Sequence, residues 1–126
     1  MIIDTSAAVA LLRGESDAAA MVEAMSAAPR LGMSAASVLE LAIVTAVSGP
    51  ELVDDFLRDL RIEVVAVDAE HLRWARIAHA RYGRGSGSQA KLNFGDCLAY
   101  GAAKAEGRPL LFKGSDFVHT DVESVH

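Results

Sequence analysis

The sequence predicts an α/β fold, a central and mostly parallel sheet flanked by helices in an α/β/α sandwich. Three observations predict it. Short apolar, β-branched runs alternate with segments of helical period, the pattern of parallel βαβ units. The chain has 126 residues, 52% of them apolar, which is one domain (1–126) with enough mass to bury a core. The first run, Met1–Ile3, meets Asp4 at once, the only charged residue from Met1 to Leu12. If that run is a central strand, Asp4 stands at its carboxyl end, where such sheets place their ligand crevice.

The elements follow in order. Ile2 and Ile3 suit a buried strand, and Ser6 is placed to cap a helix carrying Val9 and Leu12, which Gly14 ends. Glu15-Ser16-Asp17 opens a second helix with Met21, Val22 and Met25, closed by Pro29. Arg30–Met33 reads as a brief strand. Ser34 or Ser37 then starts a third helix in which Val38, Leu41, Ala42 and Thr45 share a face. After Gly49, Pro50 suits the first turn of a fourth helix, with Leu52, Val53, Phe56, Leu57 and Leu60 turned inward. Glu63–Val67 is a β-branched strand. Asp68 caps a helix whose face is Leu72, Ala75, Ala78 and Tyr82, stopped by Gly83. Residues 83–88 form a flexible Gly/Ser loop. Phe94–Ala105 is a small-residue helix, Leu110–Phe112 a strand, and Val122–Val125 a last short one. No internal repeat is visible.

Composition narrows the functional classes. No apolar run approaches the ~20 residues that span a bilayer, and Asp4 comes too early for a secretory signal. The single cysteine, Cys97, lies in an apolar stretch and reads as a buried core thiol. These features predict a cytoplasmic protein. A net charge of −5 argues against a binder that grips phosphate over its whole surface. It does not exclude an enzyme that meets phosphate through a divalent metal. Between His71 and Gly95 the charges are all basic (Arg73, Arg76, Arg81, Arg84 and Lys91), a candidate phosphate-facing block. His71 and His79 lack the spacing of a metal pair and read as surface residues, His119 lies near the proposed site, and His126 is a terminus.

The setting of the acids carries the chemistry. Glu40 is the only charged residue from Leu31 to Val47, and Asp96 the only one from Leu92 to Ala103. With Asp4 they make three carboxylates, each alone in an apolar element. A buried carboxylate costs several kcal/mol without a partner, and no Lys or Arg lies within these elements. A shared cation is the economical solution, and hard oxygen ligands favour Mg²⁺ or Mn²⁺. A fourth acid follows the Leu110–Phe112 run, where Asp116, nearer the strand's carboxyl end, is preferred to Asp121. Each acid alone also has a bland reading, Asp4 and Asp96 as helix caps and Glu40 as a solvated edge residue.

Asp-Thr-Ser-Ala at 4–7, Ser-x-x-Ser-x-x-Glu with Ser34, Ser37 and Glu40, Asn-Phe-Gly-Asp-Cys at 93–97, and Leu-Leu-Phe-Lys-Gly-x-Asp-Phe-x-x-Thr-Asp at 110–121 stand in this order. The ordered set resembles PIN-domain ribonucleases, and within them the VapC toxins of toxin–antitoxin pairs, over essentially the whole chain. The resemblance implies a single PIN-like domain and a metal-dependent endoribonuclease. It implies Asp4, Glu40 and Asp96 as metal-site carboxylates, Asp4 and Asp96 being the closest ligands, and a small polar role for Thr5 or Ser6. It further implies an RNA substrate, a homodimer and a cognate antitoxin. Many relatives carry an acid or Asn at the place of Gly114, so here the fourth carboxylate rests on Asp116. A cation held by these acids would activate a water for attack on an RNA phosphodiester, with Arg84, Lys91 and Lys113 as candidate holders of flanking phosphates.

Two other functions compete with this one. A phosphoryl-transfer protein with an Asp nucleophile wants a second acid two residues on, where Ser6 stands, or paired acids at the first strand end with an acceptor such as Asp68. A non-catalytic interaction module would keep the acids only as caps.

Overall fold

The computed structural model describes residues 1–125. Four parallel strands form one sheet in the order β3-β2-β1-β4, with β1 at Ile2–Ile3, β2 at Leu31–Ser34, β3 at Ile62–Val65 and β4 at Leu110–Leu111. Ile2 pairs with Gly32 on one side and Leu110 on the other, so β1 is interior, as its β-branched residues predict. The last expected strand is reduced to one bridge, Leu110 to Ser124.

The helices are α1 (Thr5–Leu12), α2 (Ala18–Ala27), α3 (Ala35–Val44), α4 (Glu51–Asp59), α5 (Ala69–Tyr82) and α6 (Phe94–Glu106), with one 3₁₀ turn at Ala46–Ser48. Successive residues of a strand face opposite ways, and they sort the core into two layers. Ile2 and Leu110 belong to a cluster with Ala78, Ala99 and Tyr100 of α5 and α6. Ile3 and Leu111 belong to another with Ala8, Met21, Leu41 and Phe56 of α1–α4. Ile2 and Ile3 are wholly buried, each stabilising the fold by about 1.5–3 kcal/mol. Met21, Met25 and Phe56 close this second layer. The most exposed large apolar side chains are Val47, on the turn after α3, Phe94 at the start of α6, and Ile43 and Leu39 on α3.

Several local expectations are corrected. Asp4, not Ser6, is the N-cap of α1, and Pro50 precedes α4 as its cap. Of the two serines, Ser34 caps α3. The buried stripe of α5 is His71, Ala75 and Ala78, while Leu72 is exposed. The reason is Gly101 on α6: a Cβ there would stand 2.6 Å from the His71 carbonyl oxygen and 3.1 Å from the Ala75 amide. The two helices therefore meet backbone to backbone along that line, and this close approach sets the rotation of α5. His71 is consequently not a surface residue. It is 2% exposed, with Nε2 3.3 Å from Glu106 Oε2. His126 lies outside the described residues.

Candidate active site

All strands being parallel, their carboxyl ends share one side of the sheet, and α1 and α3 start there directly after β1 and β2. Asp4 follows β1 and Ser34 ends β2. Asp4 is 5% exposed, and its Oδ2 accepts hydrogen bonds from both the amide and the hydroxyl of Ser6. The Ser6 hydroxyl in turn accepts the Lys113 amide at 3.0 Å, which ties the end of β1 to the chain leaving β4. Thr5 is buried, and its hydroxyl donates to the Ser37 carbonyl at 3.3 Å, joining α1 to α3.

Asp96 arrives from the other layer, in the first turn of α6. Asn93 caps that helix by accepting the Asp96 amide at 2.8 Å, and the Asp96 Oδ2 accepts the Asn93 amide at 3.0 Å. This reciprocal capping box fixes the orientation of the Asp96 carboxylate. Glu40, half-buried on α3, lies against the same turn. A Cβ on Gly95 would come within 2.5 Å of Glu40 Oε2, so the missing side chain of Gly95 makes room for the Glu40 carboxylate. Periodicity and charge assign no role to Asn93 or Gly95; the Asn-x-x-Asp spacing is the signal in the sequence that points to the capping box.

Caps normally hold a carboxylate below its ordinary range. Here the opposite occurs. Burial pushes the Asp4 carboxyl up, the Ser6 hydrogen bonds pulling against it and Glu40 adding to it. Burial pushes Asp96 up to about 6, against the pull of the Asn93 amide, with repulsion from Asp4, Asp116 and Glu40 adding to it. Asp96 thus lies within electrostatic reach of the other three acids singled out from the sequence, and Asp4 within reach of Glu40. Among the described residues no salt bridge reaches any of them. Asp116 and Asp121 differ in their surroundings. Asp121 accepts the Tyr100 hydroxyl at 2.6 Å and sits 3.2 Å from Lys104 Nζ, while exposed Asp116 adds to the repulsion on Asp96.

The remaining candidates separate. Lys113 points away from the acids, its ammonium held by Glu15 and, at 3.3 Å, by Asp17. Exposed Arg84 and Lys91 line a cavity of about 910 Å³ shared with Asp116 and His119. Cys97 is buried as expected, and burial raises its thiol.

Mutually repelling oxygen donors without a cationic side chain fit a hard divalent cation. Among the described residues no three His, Cys, Asp or Glu side chains converge closely enough to hold a metal ion between them. The fit is therefore to an ion held by one or two carboxylates, with waters completing its shell, as Mg²⁺ prefers.

A parallel α/β sandwich with acids that lack cationic partners gathered near its strand ends is the class that fold and site define. The chain belongs to the PIN domain family, whose sequence profile matches residues 1–123. It is 49% identical over 126 residues to Ribonuclease VapC42 of Mycobacterium tuberculosis, covering 97% of this chain and 96% of that one. Its fold matches VapC20 of M. tuberculosis, described as a Sarcin-Ricin loop cleaving toxin, with a TM-score of 0.70 at 16% identity over 96% of this chain and 95% of that one. It also matches the Rickettsia felis VapBC2 structure, bound to a DNA fragment from their promoter, with a TM-score of 0.74 at 15% identity over 98% and 94%. Among the described residues no helix is long and apolar enough to cross a membrane.

Proposed function

We propose that this protein is a metal-dependent endoribonuclease, the toxin of a toxin–antitoxin pair. The observation that carries the reading is Asp96, pushed up to about 6 by burial and by repulsion from Asp4, Asp116 and Glu40, none of the four having a cationic partner among the described residues. The VapC ribonuclease relative, matched over nearly its full length, supports RNA as the substrate.

Asp4 and Asp96 would hold the ion, Mg²⁺ or Mn²⁺. When bound, it supplies charge neutralisation for a phosphodiester and activation of an attacking water. The chain's own residues prepare that place. Ser6 holds the Asp4 carboxylate, and the Asn93 cap holds that of Asp96. Glu40 and Asp116 add the negative charge that draws a cation in and are placed to accept a proton from water. The roles expected of Thr5 and Lys113 become structural ones: Thr5 joins α1 to α3, and Lys113 anchors the segment after β4.

An Asp-nucleophile reading finds less support. Ser6 occupies the place of a second acid, and Asp68 is engaged as the exposed cap of α5 through the His71 amide. An antitoxin partner is supported by the toxin–antitoxin complexes that share this fold. A homodimer is supported by the exposed apolar residues Leu39, Ile43 and Val47 on α3 and the turn that follows it.

The test is cleavage of RNA by the purified protein with and without EDTA, followed by separate add-back of Mg²⁺ and Mn²⁺. Cleavage lost on chelation and restored by metal is the expected result. Cleavage indifferent to EDTA would refute the reading.

A further inference from the structure

The loop between α5 and α6 has an internal order that its Gly/Ser composition conceals. Its ends are tied, the Arg84 amide to Leu92 O at 3.3 Å and the Leu92 amide to Tyr82 O at 2.8 Å. Between them every second amide is used within the loop. The Ser86 amide reaches Gly83 O, the Ser88 amide the Ser86 hydroxyl, and the Ala90 amide the Ser88 hydroxyl. Among the described residues the intervening amides of Gly85, Gly87, Gln89 and Lys91 have no acceptor in the chain. All four of these residues line the 910 Å³ cavity that the loop forms with the 115–119 turn. Gly85 and Gly87 have φ of +87°, and Lys91 has φ of +52°, a left-handed conformation uncommon for a side-chain-bearing residue. The loop thus holds strain at the residue that brings its positive charge to the cavity.

The lining is rich in donors, with Arg84, Lys91 and the free amides, and Asp116 is its only carboxylate. Asp116 also lies within electrostatic reach of Asp96. One acid therefore borders both the carboxylate cluster and a basic cavity whose size suits a small polar ligand, the usual range being about 300–1,000 Å³. Backbone amides and Arg or Lys side chains are the groups that recognise a phosphate without reading sequence.

We infer that the cavity between the 84–91 loop and the 115–119 turn seats the nucleotide next to the cleaved phosphodiester, its phosphate held by Arg84, Lys91 and the free loop amides. This rests on the nuclease reading and adds to it the path of the strand. RNA whose reacting phosphate lies at Asp4 and Asp96 passes Asp116 into the cavity as a single strand. The acidic cluster then accounts for the chemistry, and the basic loop for affinity.

The experiment uses an end-labelled single-stranded RNA oligonucleotide of mixed sequence. Steady-state cleavage is followed in Mg²⁺, and binding is followed in EDTA over a salt series. Arg84→Ala combined with Lys91→Asn removes both charges at exposed positions, Asn being at ease in the left-handed conformation. Arg58→Ala, on α4 outside the cavity and paired there with Asp55 and Asp59, is the control. The expected result is a KM raised tenfold or more with kcat within about twofold. The log–log salt slope should fall by about 0.7, the value for one phosphate of a single strand that is no longer neutralised. Arg58→Ala should change neither. A double variant with wild-type KM and salt slope would overturn the inference while leaving metal-dependent cleavage, and so the nuclease reading, intact. Binding weakened as much in Arg58→Ala as in the double variant would overturn it in favour of a charge effect spread over the whole surface. A wild-type protein that cleaves nothing, yet binds RNA through Arg84 and Lys91, would overturn the nuclease reading and uphold the cavity.

Discussion

Helix α6 carries two acid sites that behave in opposite ways. In its first turn burial, with repulsion from Asp4, Asp116 and Glu40 added to it, raises the Asp96 carboxyl to about 6. Further along, Tyr100 and Lys104 face Asp121. Burial would raise Asp121 too, but the hydrogen bonds of Tyr100 and Lys104 outweigh it and hold the carboxyl below its ordinary range. The Tyr100 hydroxyl is itself raised by burial and by that hydrogen bond. Where an acid serves the fold, the chain provides a donor and a cation. At the strand ends it provides backbone caps and further acids, and leaves the charge for something from outside. The contrast separates carboxylates paired within the fold from those left without a cation, in a way their residue types do not.

The contrast is broken most directly by removing one charge at the strand ends. Asp4→Asn or Asp96→Asn should lower RNA cleavage by about 10²- to 10⁴-fold, the scale of losing a positioned group that acts on the reaction. Near-native cleavage by either would place the chemistry elsewhere. Ser6→Ala probes the support of Asp4 instead of the acid. Removing the hydroxyl should cost about 10- to 100-fold in metal affinity or rate, the usual cost of losing a group that orients a ligand. Metal titration by calorimetry would test this, unchanged affinity and rate reducing Ser6 to a helix-end hydrogen bond.

Asp121→Asn, on the paired side, should leave kcat and KM alone and cost stability, about 1–2 kcal/mol for a hydrogen bond to a charged group. Denaturant unfolding measures it, and a large loss of cleavage with unchanged stability would erase the distinction. The smallest effect is one of pH. An acid whose carboxyl is raised by folding stabilises the fold at low pH and loses that contribution as pH climbs. For Asp96 the window runs from its ordinary 3.8 to about 6. In EDTA, wild type should therefore fall behind Asp96→Asn in stability across that window, by about 1 kcal/mol once screening of a partly exposed carboxylate is allowed for. Melting curves over pH would show it as a widening gap in Tm, and saturating Mg²⁺ should close that gap by binding the folded wild type. Parallel Tm curves for the two proteins, with metal and without, would show that the repulsion is not there.

Sequence by itself determined the succession of strands and helices, because β-branched runs and helical periods are local signals. It also marked Asp4, Glu40 and Asp96 through their isolation among apolar residues. It did not reveal that Asp4 caps α1 and Asp96 completes the capping box of Asn93 while both also belong to one cluster, since capping and clustering call for the same residue at the same place. Burial decided between them by overriding the caps' pull. The tertiary structure alone set the rotation of α5, because Gly101 admits its backbone and so buries His71. It alone gave Lys113 to Glu15 and Asp17, Asp121 to Tyr100, and Asp116 to both the acids and the basic loop. Such pairings join residues distant in sequence, and chain closure, not local propensity, determines which charge finds a partner.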